Sequence, residues 1–278
     1  VSAGFKPLAQ DAGRRAVADA LLRRGLEGRV GLGPSPGLYI PRYEIIGAPS
    51  VDVVVVARTD GADVADCVAS IERLSTYSHR QVTSVVAGDN APAAINGAVR
   101  AMSGEHVVLL DASTRVITVE WLETMLELSQ RTGIGAVGLR LRYPDGAVAH
   151  EGMVCGRLEL ARSVDQHLHV IKEMSAVSGA CLMTRRDVFE HAGGLDELFS
   201  RALWDVDYCL RIRALGNLVL CTPLAEMTWG EAARAGGADL TGQDARTFAE
   251  RWGGVGEIDD PYLNKNVLWP APLSLRLD

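Results

Sequence analysis

Val51-Asp-Val-Val-Val-Val-Ala57 is a nearly continuous β-branched run. A surface strand alternates apolar and polar residues. A run with almost no alternation fits a strand buried on both faces, as in a parallel sheet covered by helices. Arg58-Thr-Asp-Gly61 then turns the chain, and Val64, Cys67, Val68 and Ile71 recur at helical spacing behind Asp60 as N-cap. Val82 to Ala87 is a second strand ending in Gly88-Asp-Asn90, and Ala91 to Met102 a second helix with Ile95, Val99 and Met102 on one face. Val107-Val-Leu-Leu110 is a third strand ending in Asp111, and Thr118 to Gln130 a third helix with Thr118 as N-cap. Strand–helix alternation of this kind implies βαβ units with right-handed crossovers. Ligands on such sheets bind beyond the carboxyl ends of the strands. Arg58, Asp89 and Asp111 each fall at or just after such an end.

From Ile134 the pattern changes. Gly135 to Tyr143 reads as a strand, Pro144-Asp-Gly146 as a tight turn, and Val148 to Val154 as a returning hairpin partner. Residues 156–175 have weak periodicity. Ser178 to Thr184 is a small-residue strand. The helix after it runs from Arg185 to Ala192, with Thr184 and Asp187 as a capping-box-like start and Gly193 as a stop.

Arg201-Ala-Leu-Trp-Asp-Val-Asp-Tyr-Cys-Leu-Arg-Ile-Arg213 reads as a short loop entering an amphipathic helix that ends at Gly216. Asp205 and Asp207 fall in its first turn, where free N–H groups favour carboxylates. An Asp207–Arg211 ion pair at i, i+4 accounts for part of the pattern without any catalytic role. Leu218 to Cys221 is a last strand. The chain divides into a helical prelude and linker over 1–47, an α/β domain over 48–230 and an irregular tail over 231–278.

Taken together, His106-Val-Val-Leu-Leu-Asp-Ala-Ser113, Val177 to Glu197 and Arg201 to Arg213 resemble, in order and spacing, the inverting nucleotide-sugar glycosyltransferases of GT-A fold, family 2-like. The resemblance covers about Val51 to Trp229. It implies a Rossmann-like mixed sheet flanked by helices and transfer of a sugar from a nucleoside diphosphate to a hydroxyl or amine with inversion. The family's base is the aspartate of an acidic pair before the helix, which matches Asp205. The glutamate that usually precedes it is Trp204 here, an aromatic that could stack on a sugar or simply pack. The family's D-x-D matches Asp111-Ala112-Ser113, so Asp111 keeps the ribose and metal position while a hydroxyl replaces the second carboxylate. Hard cations gain most from charged oxygen ligands. A divalent cation, Mn or Mg, is therefore expected to bind weakly and through the substrate's phosphates, or else cationic side chains such as Arg58 and Arg100 replace it. No histidine follows the last strand within Glu226 to Glu231, where the family often has another ligand.

By the same match, Ala57, Arg58, Asp89 and Asn96 would line the nucleotide, and Gly179 and Ala180 the place where sugar and acceptor meet. Arg251-Trp252 and Asp260 to Asn264 look like the tail of polysaccharide-building members. The departures at Ser113 and Trp204 also fit a degenerate member that binds a nucleotide or glycan without turnover, and the prelude fits an interaction domain of a larger synthase.

Composition sets outer limits. The chain has 278 residues, 47% apolar and 23% charged, with a formal charge of −7. That balance suits a globular domain and argues against a protein-wide nucleic-acid surface. Five cysteines without a C-x-x-C pair read as core residues of a reduced, cytoplasmic protein, and no run is long enough for an integral membrane segment. His167-x-His169, His150 and His191 have no evident third partner for a protein-bound metal. The acceptor could be a glycan, a lipid-linked sugar or a small molecule.

Overall fold

The computed structural model describes residues 7–58, 62–155, 161–162, 169–230, 242–253 and 258–262. Helix α1 (Pro7–Arg23) leads into an antiparallel hairpin of β1 (Gly28–Leu32) and β2 (Tyr39–Tyr43). Then come β3 (Val51–Ala57), α2 (Ala62–Leu74), β4 (Arg80–Val86), α3 (Ala91–Ala101), β5 (His106–Asp111), β6 (Thr114–Val116) and α4 (Trp121–Ser129). The second half holds β7 (Ile134–Arg142), β8 (Val148–His150), β9 (Met153–Val154), β10 (Ala161–Arg162), β11 (Lys172–Met174), β12 (Cys181–Arg185), α5 (Arg186–His191), α6 (Trp204–Ala214), β13 (Leu218–Trp229) and α7 (Gln243–Trp252).

The main sheet runs β11-β13-β7-β12-β5-β3-β4. β4, β3 and β5 are parallel, β12 enters antiparallel between β5 and β7, and β13 lies parallel to β7. The β-branched run of β3 is buried on both sides, as its lack of alternation requires. Val53 and Val55 pack with Cys67, Ile71, Trp121 and Met125 under α2 and α4. Val54 packs on the other face with Ile95, Val99, Phe189, Tyr208 and Phe248 from α3, α5, α6 and α7. Each of these valines is fully buried, a contribution of roughly 1.5–3 kcal/mol apiece. The sheet is thus the middle of three layers.

The prelude rests on α4. Arg42 donates to Glu127 through both Nε (2.7 Å) and Nη2 (2.5 Å), and the Arg131 guanidinium lies 3.9 Å over the Tyr43 ring. The fork-on-carboxylate geometry fixes orientation as well as distance.

Several expectations change. The prelude carries a hairpin, because Gly28–Leu32 pairs with the extended piece around Ile40. β13 is 12 residues long rather than four, its far half pairing with β6, a strand that was not expected. α4 begins at Trp121, and Thr118 does not cap it: the Thr118 hydroxyl accepts the Glu226 N–H at 3.0 Å. Thr184 does not cap α5 either. Its hydroxyl donates to the Gly135 carbonyl and meets the Tyr208 hydroxyl at 2.8 Å, both in the core. α6 is buried over most of its circumference rather than along one stripe. The tail expected to be irregular contains α7, whose Phe248 is 1% exposed. Tertiary partners outcompeted local capping in each hydroxyl case.

Candidate active site at the carboxyl edge of the sheet

β3 and β5 end side by side at Ala57 and Asp111, and β12, running the other way, begins there. The Asp111 N–H donates to the Ala180 carbonyl at 3.0 Å, and the Ala112 N–H to Val56 at 2.9 Å. The next residue back, Gly179, donates its N–H to Asp205 Oδ2 at 2.8 Å. Asp111 and Asp205, far apart in sequence, are therefore joined through two adjacent residues of one strand entry.

Asp205 sits in the first turn of α6. Its Oδ1 also accepts the Val206 N–H at 2.9 Å. Burial pushes its carboxyl above the ordinary aspartate value, while the N–H groups of Gly179, Val206 and Asp205 itself pull the other way. The side chain is only partly exposed. It is a carboxylate held on one side by amides and more basic than usual.

Trp204 is 9% exposed. A Cβ built on Gly179 would lie 2.1 Å from its ring atom Cη2, so the indole lies directly on Gly179. The close approach that a glycine permits here is taken up by Trp204. Gly179 and Ala180 are both buried.

At the other end of this path, Asp111 Oδ1 accepts both the Ser113 N–H (2.8 Å) and the Ser113 hydroxyl (2.5 Å), closing a tight turn. Gly230, at the end of β13, packs against this turn: its Cβ would stand 3.0 Å from that of Ser113. Arg58 is exposed at the end of β3, and the Ala57 carbonyl is spent on the Ala87 N–H at 2.8 Å. Asp89 projects into solvent but is ion-paired with Arg201. Asn90 caps α3 through the Ala93 N–H at 2.9 Å and donates to the Glu197 carbonyl at 3.0 Å.

Two expected site residues lie elsewhere. Asn96 is 5% exposed, and its amide is committed to the Leu195 N–H, the Leu195 carbonyl and the Glu197 carboxylate. It ties residues 195–197 to α3 and has no group left to offer a nucleotide. Arg100 belongs to the last turn of α3. A crossover helix ends at the amino edge of the next strand, so Arg100 stands a helix length from Asp111.

The residues present do not by themselves make a cation site. Asp111 has one oxygen taken by Ser113, and among the described residues no three His, Cys, Asp or Glu converge on one point. A magnesium or manganese ion needs about six oxygens. His169 instead lies 2.9 Å from Arg140, its Nδ1 accepting from the guanidinium. His167 lies outside the described residues.

Three contributors were not anticipated. His150 Nε2 accepts the N–H of Ser178 (3.1 Å) and of Gly152 (3.2 Å), holding the residue before Gly179. Asp244, in the first turn of α7, accepts the N–H groups of Ser200, Arg201 and Ala202, each at 2.8 Å. Asp260 accepts the Cys155 N–H at 2.5 Å and the Ser175 hydroxyl. A signal for α7 existed in Ala245, Phe248, Ala249 and Trp252, spaced i, i+3, i+4, i+7. Nothing local marks what Asp260 binds.

The mixed sheet, the Asp111-Ala-Ser113 turn, the small-residue strand entry and the aspartate-led helix are the parts that the resemblance to GT-A glycosyltransferases implied. A family model described as glycosyltransferase like family 2 matches residues 44–249, and the chain belongs to that family. The chain is 31% identical to the uncharacterized protein y4gI of Sinorhizobium fredii (strain NBRC 101917 / NGR234) over 94% of its own length and 34% of that protein's. It is 28% identical to the O-antigen biosynthesis protein RfbC of Myxococcus xanthus over 95% of this chain and 24% of that one. It thus spans about a third or less of these curated relatives. Among solved structures, GalNAc-T7 with UDP, GalNAc and Mn2+ superposes with a TM-score of 0.57 at 12% identity, covering 73% of this chain and 48% of that one. That likeness establishes the GT-A fold.

Proposed function

We propose that the chain is an inverting glycosyltransferase domain in which Asp205 is the general base. The observation that carries this is the hydrogen-bonded path Asp205–Gly179–Ala180–Asp111, which sets a basic carboxylate at a fixed place relative to the turn where a diphosphate would lie. In this reading a nucleoside-diphosphate hexose or deoxyhexose lies over the ends of β3 and β5. Ala57 shapes its base pocket, Arg58 and Asp89 face its phosphates and ribose, and Asp111 with Ser113 marks the diphosphate end. An acceptor hydroxyl or amine gives its proton to Asp205 as its heteroatom bonds the anomeric carbon. The bond from that carbon to the diphosphate breaks on the opposite face, and the configuration inverts. Trp204 forms a wall beside the reacting sugar.

Departure of the diphosphate calls for positive charge. Arg58 is the exposed guanidinium at the strand ends, suited to a phosphate oxygen. GalNAc-T7 carries Mn2+ and UDP. Here Asp111 and Ser113 do not by themselves complete a site for such a cation. Five buried free thiols suit a reducing compartment such as the cytoplasm. Among the described residues no helix is long and apolar enough to cross a membrane. RfbC's name places that relative in O-antigen synthesis, which favours a saccharide acceptor here.

The test is a thermal-shift panel of UDP, dTDP, GDP and CMP, each with manganese or with EDTA, followed by transfer assays with the responding sugar nucleotides. A nucleotide at a hundred times its Kd adds about 2.7 kcal/mol. A response to one base together with loss of transfer in Asp205→Asn supports the reading. Binding without turnover by any donor would point to the degenerate member that Ser113 and Trp204 also fit. Unchanged turnover by Asp205→Asn would remove the base assignment.

A further inference from the structure

The loop that delivers Asp205 is unusual in being held from outside the catalytic elements. Ser200, Arg201 and Ala202 point three successive N–H groups at one spot, a concave nest of the kind that binds an anion. The anion is the Asp244 carboxylate, 8% exposed. Leu203 follows with φ of 62°, a left-handed conformation that a residue carrying a Cβ adopts only under strain. Only then does α6 begin, with Trp204 and Asp205. The same loop reaches the nucleotide side: the Ser200 carbonyl accepts the Ala91 N–H at 2.9 Å, and the Arg201 side chain pairs with Asp89.

The other end of α7 grips the same segment. Arg251 Nη1 donates to Asp207 at 2.7 Å, the Trp252 indole N–H to the same oxygen at 2.9 Å, and Arg251 Nη2 pairs with Asp196. Between the two grips Phe248 is buried in the core. Both ends of α7 thus bind within residues 196–207, the segment that contains Asp205.

We propose that Asp244 is a positioning residue for Asp205, and that α7 acts as a clamp holding the left-handed entry of α6 so that the carboxylate stays on the Gly179 amide. It rests on Asp205 being the base, but its test does not. Asp244→Asn leaves one carbonyl oxygen for three N–H donors and turns an NH2 toward them. The loop then loses its anion, and strain at Leu203 is free to relax.

Amide hydrogen exchange of the whole chain, read residue by residue by NMR, reports the consequence. In Asp244→Asn the amides of Ser200, Arg201 and Ala202 should exchange at least ten-fold faster, and so should Gly179, which touches Asp205 but not Asp244. The amides of Val53 to Val55 should stay at their parent rates. A 5-fluorotryptophan resonance of Trp204, assigned with Trp204→Phe, should shift in parallel. Faster exchange at 200–202 with Gly179 and Trp204 unmoved would overturn the proposal, and so would uniform acceleration that includes β3. If Asp244→Asn does not fold, Asp244→Glu keeps the charge and displaces it by one methylene, and the same pattern is expected at smaller amplitude. Because no donor or acceptor is needed, failure here is separable from failure of the catalytic reading, which Asp205→Asn tests.

Discussion

Asp205 accepts the amide N–H of Gly179 at 2.8 Å, across 26 residues of sequence, while its neighbour Trp204 covers the Cα of that same glycine. One strand entry thus receives both the carboxylate and the aromatic wall from a single helical turn. The site is built less from separate residues than from this one contact between β12 and α6.

With Asp205 as the proposed base, the pH dependence of catalysis follows from it. Burial raises the Asp205 carboxyl above the ordinary aspartate value, against its three amide hydrogen bonds. A base must be ionised to act, so kcat/KM should fall as pH drops through that raised value, giving an acid limb above that of a free aspartate. A pH–rate profile with a responding donor checks this. A limb at or below the ordinary carboxylate range would show that another group limits the rate.

Gly179→Ala is expected to be costly for a reason unrelated to backbone freedom. The new methyl would lie 2.1 Å from the Trp204 ring, too close to be absorbed without moving the indole. Overpacking of this kind costs about 1–3 kcal/mol, and the displaced turn should carry Asp205 with it. Adding Trp204→Leu should recover much of the stability, a coupling that urea unfolding of the two single variants and the double variant would measure. Simple additivity would mean that the two residues do not share the space.

Ser113→Asp should convert the turn into a cation site. A second carboxylate beside Asp111 supplies the charged oxygen the parent lacks. Nucleotide-induced thermal shifts should then become strongly dependent on manganese and be abolished by EDTA. Equal shifts with and without the ion in this variant would argue that the diphosphate lies elsewhere.

His106 offers a stability test independent of function. Burial lowers its pKa to about 4 from the usual 6.5, and its Nδ1 lies 3.0 Å from the Ser129 hydroxyl. Between these values the unfolded chain binds a proton that the folded one refuses. Stability should therefore fall as pH drops from about 6.5, levelling below about 4, by on the order of 3 kcal/mol in all. The difference in unfolding free energy between the parent and His106→Asn should shrink across that window. A constant difference would mean that His106 titrates normally.

The central sheet was legible because its cause is local. Seven residues of Val51–Ala57 with almost no alternation can be satisfied only by cover on both faces, and the turns after β4 and β5 follow from where the apolar runs stop; residues 59–61, where the turn after β3 is expected, lie outside the described residues. Asp205 and Asp207 in a first helical turn, and Asp111 at a strand end, were readable for the same reason. Thr118 and Thr184 stand where caps are expected but do not cap, because a hydroxyl's partner is chosen by whichever acceptor or donor the packed chain brings closest. Here those are Glu226, Gly135 and Tyr208, each at least 24 residues away.

The sequence by itself determined the layered α/β class, the family and the residues offered to the site, since these follow from periodicity and motif order along the chain. Only the tertiary structure decided how they are used. It spends Asn96 on Leu195, sets Arg100 at the far edge, lays Trp204 on Gly179 and puts α7 behind the loop that leads to Asp205. The physical reason is one of range. Periodicity reports what a segment must bury, whereas hydrogen bonds and ion pairs between distant segments are settled only when the core brings them within about 3 Å.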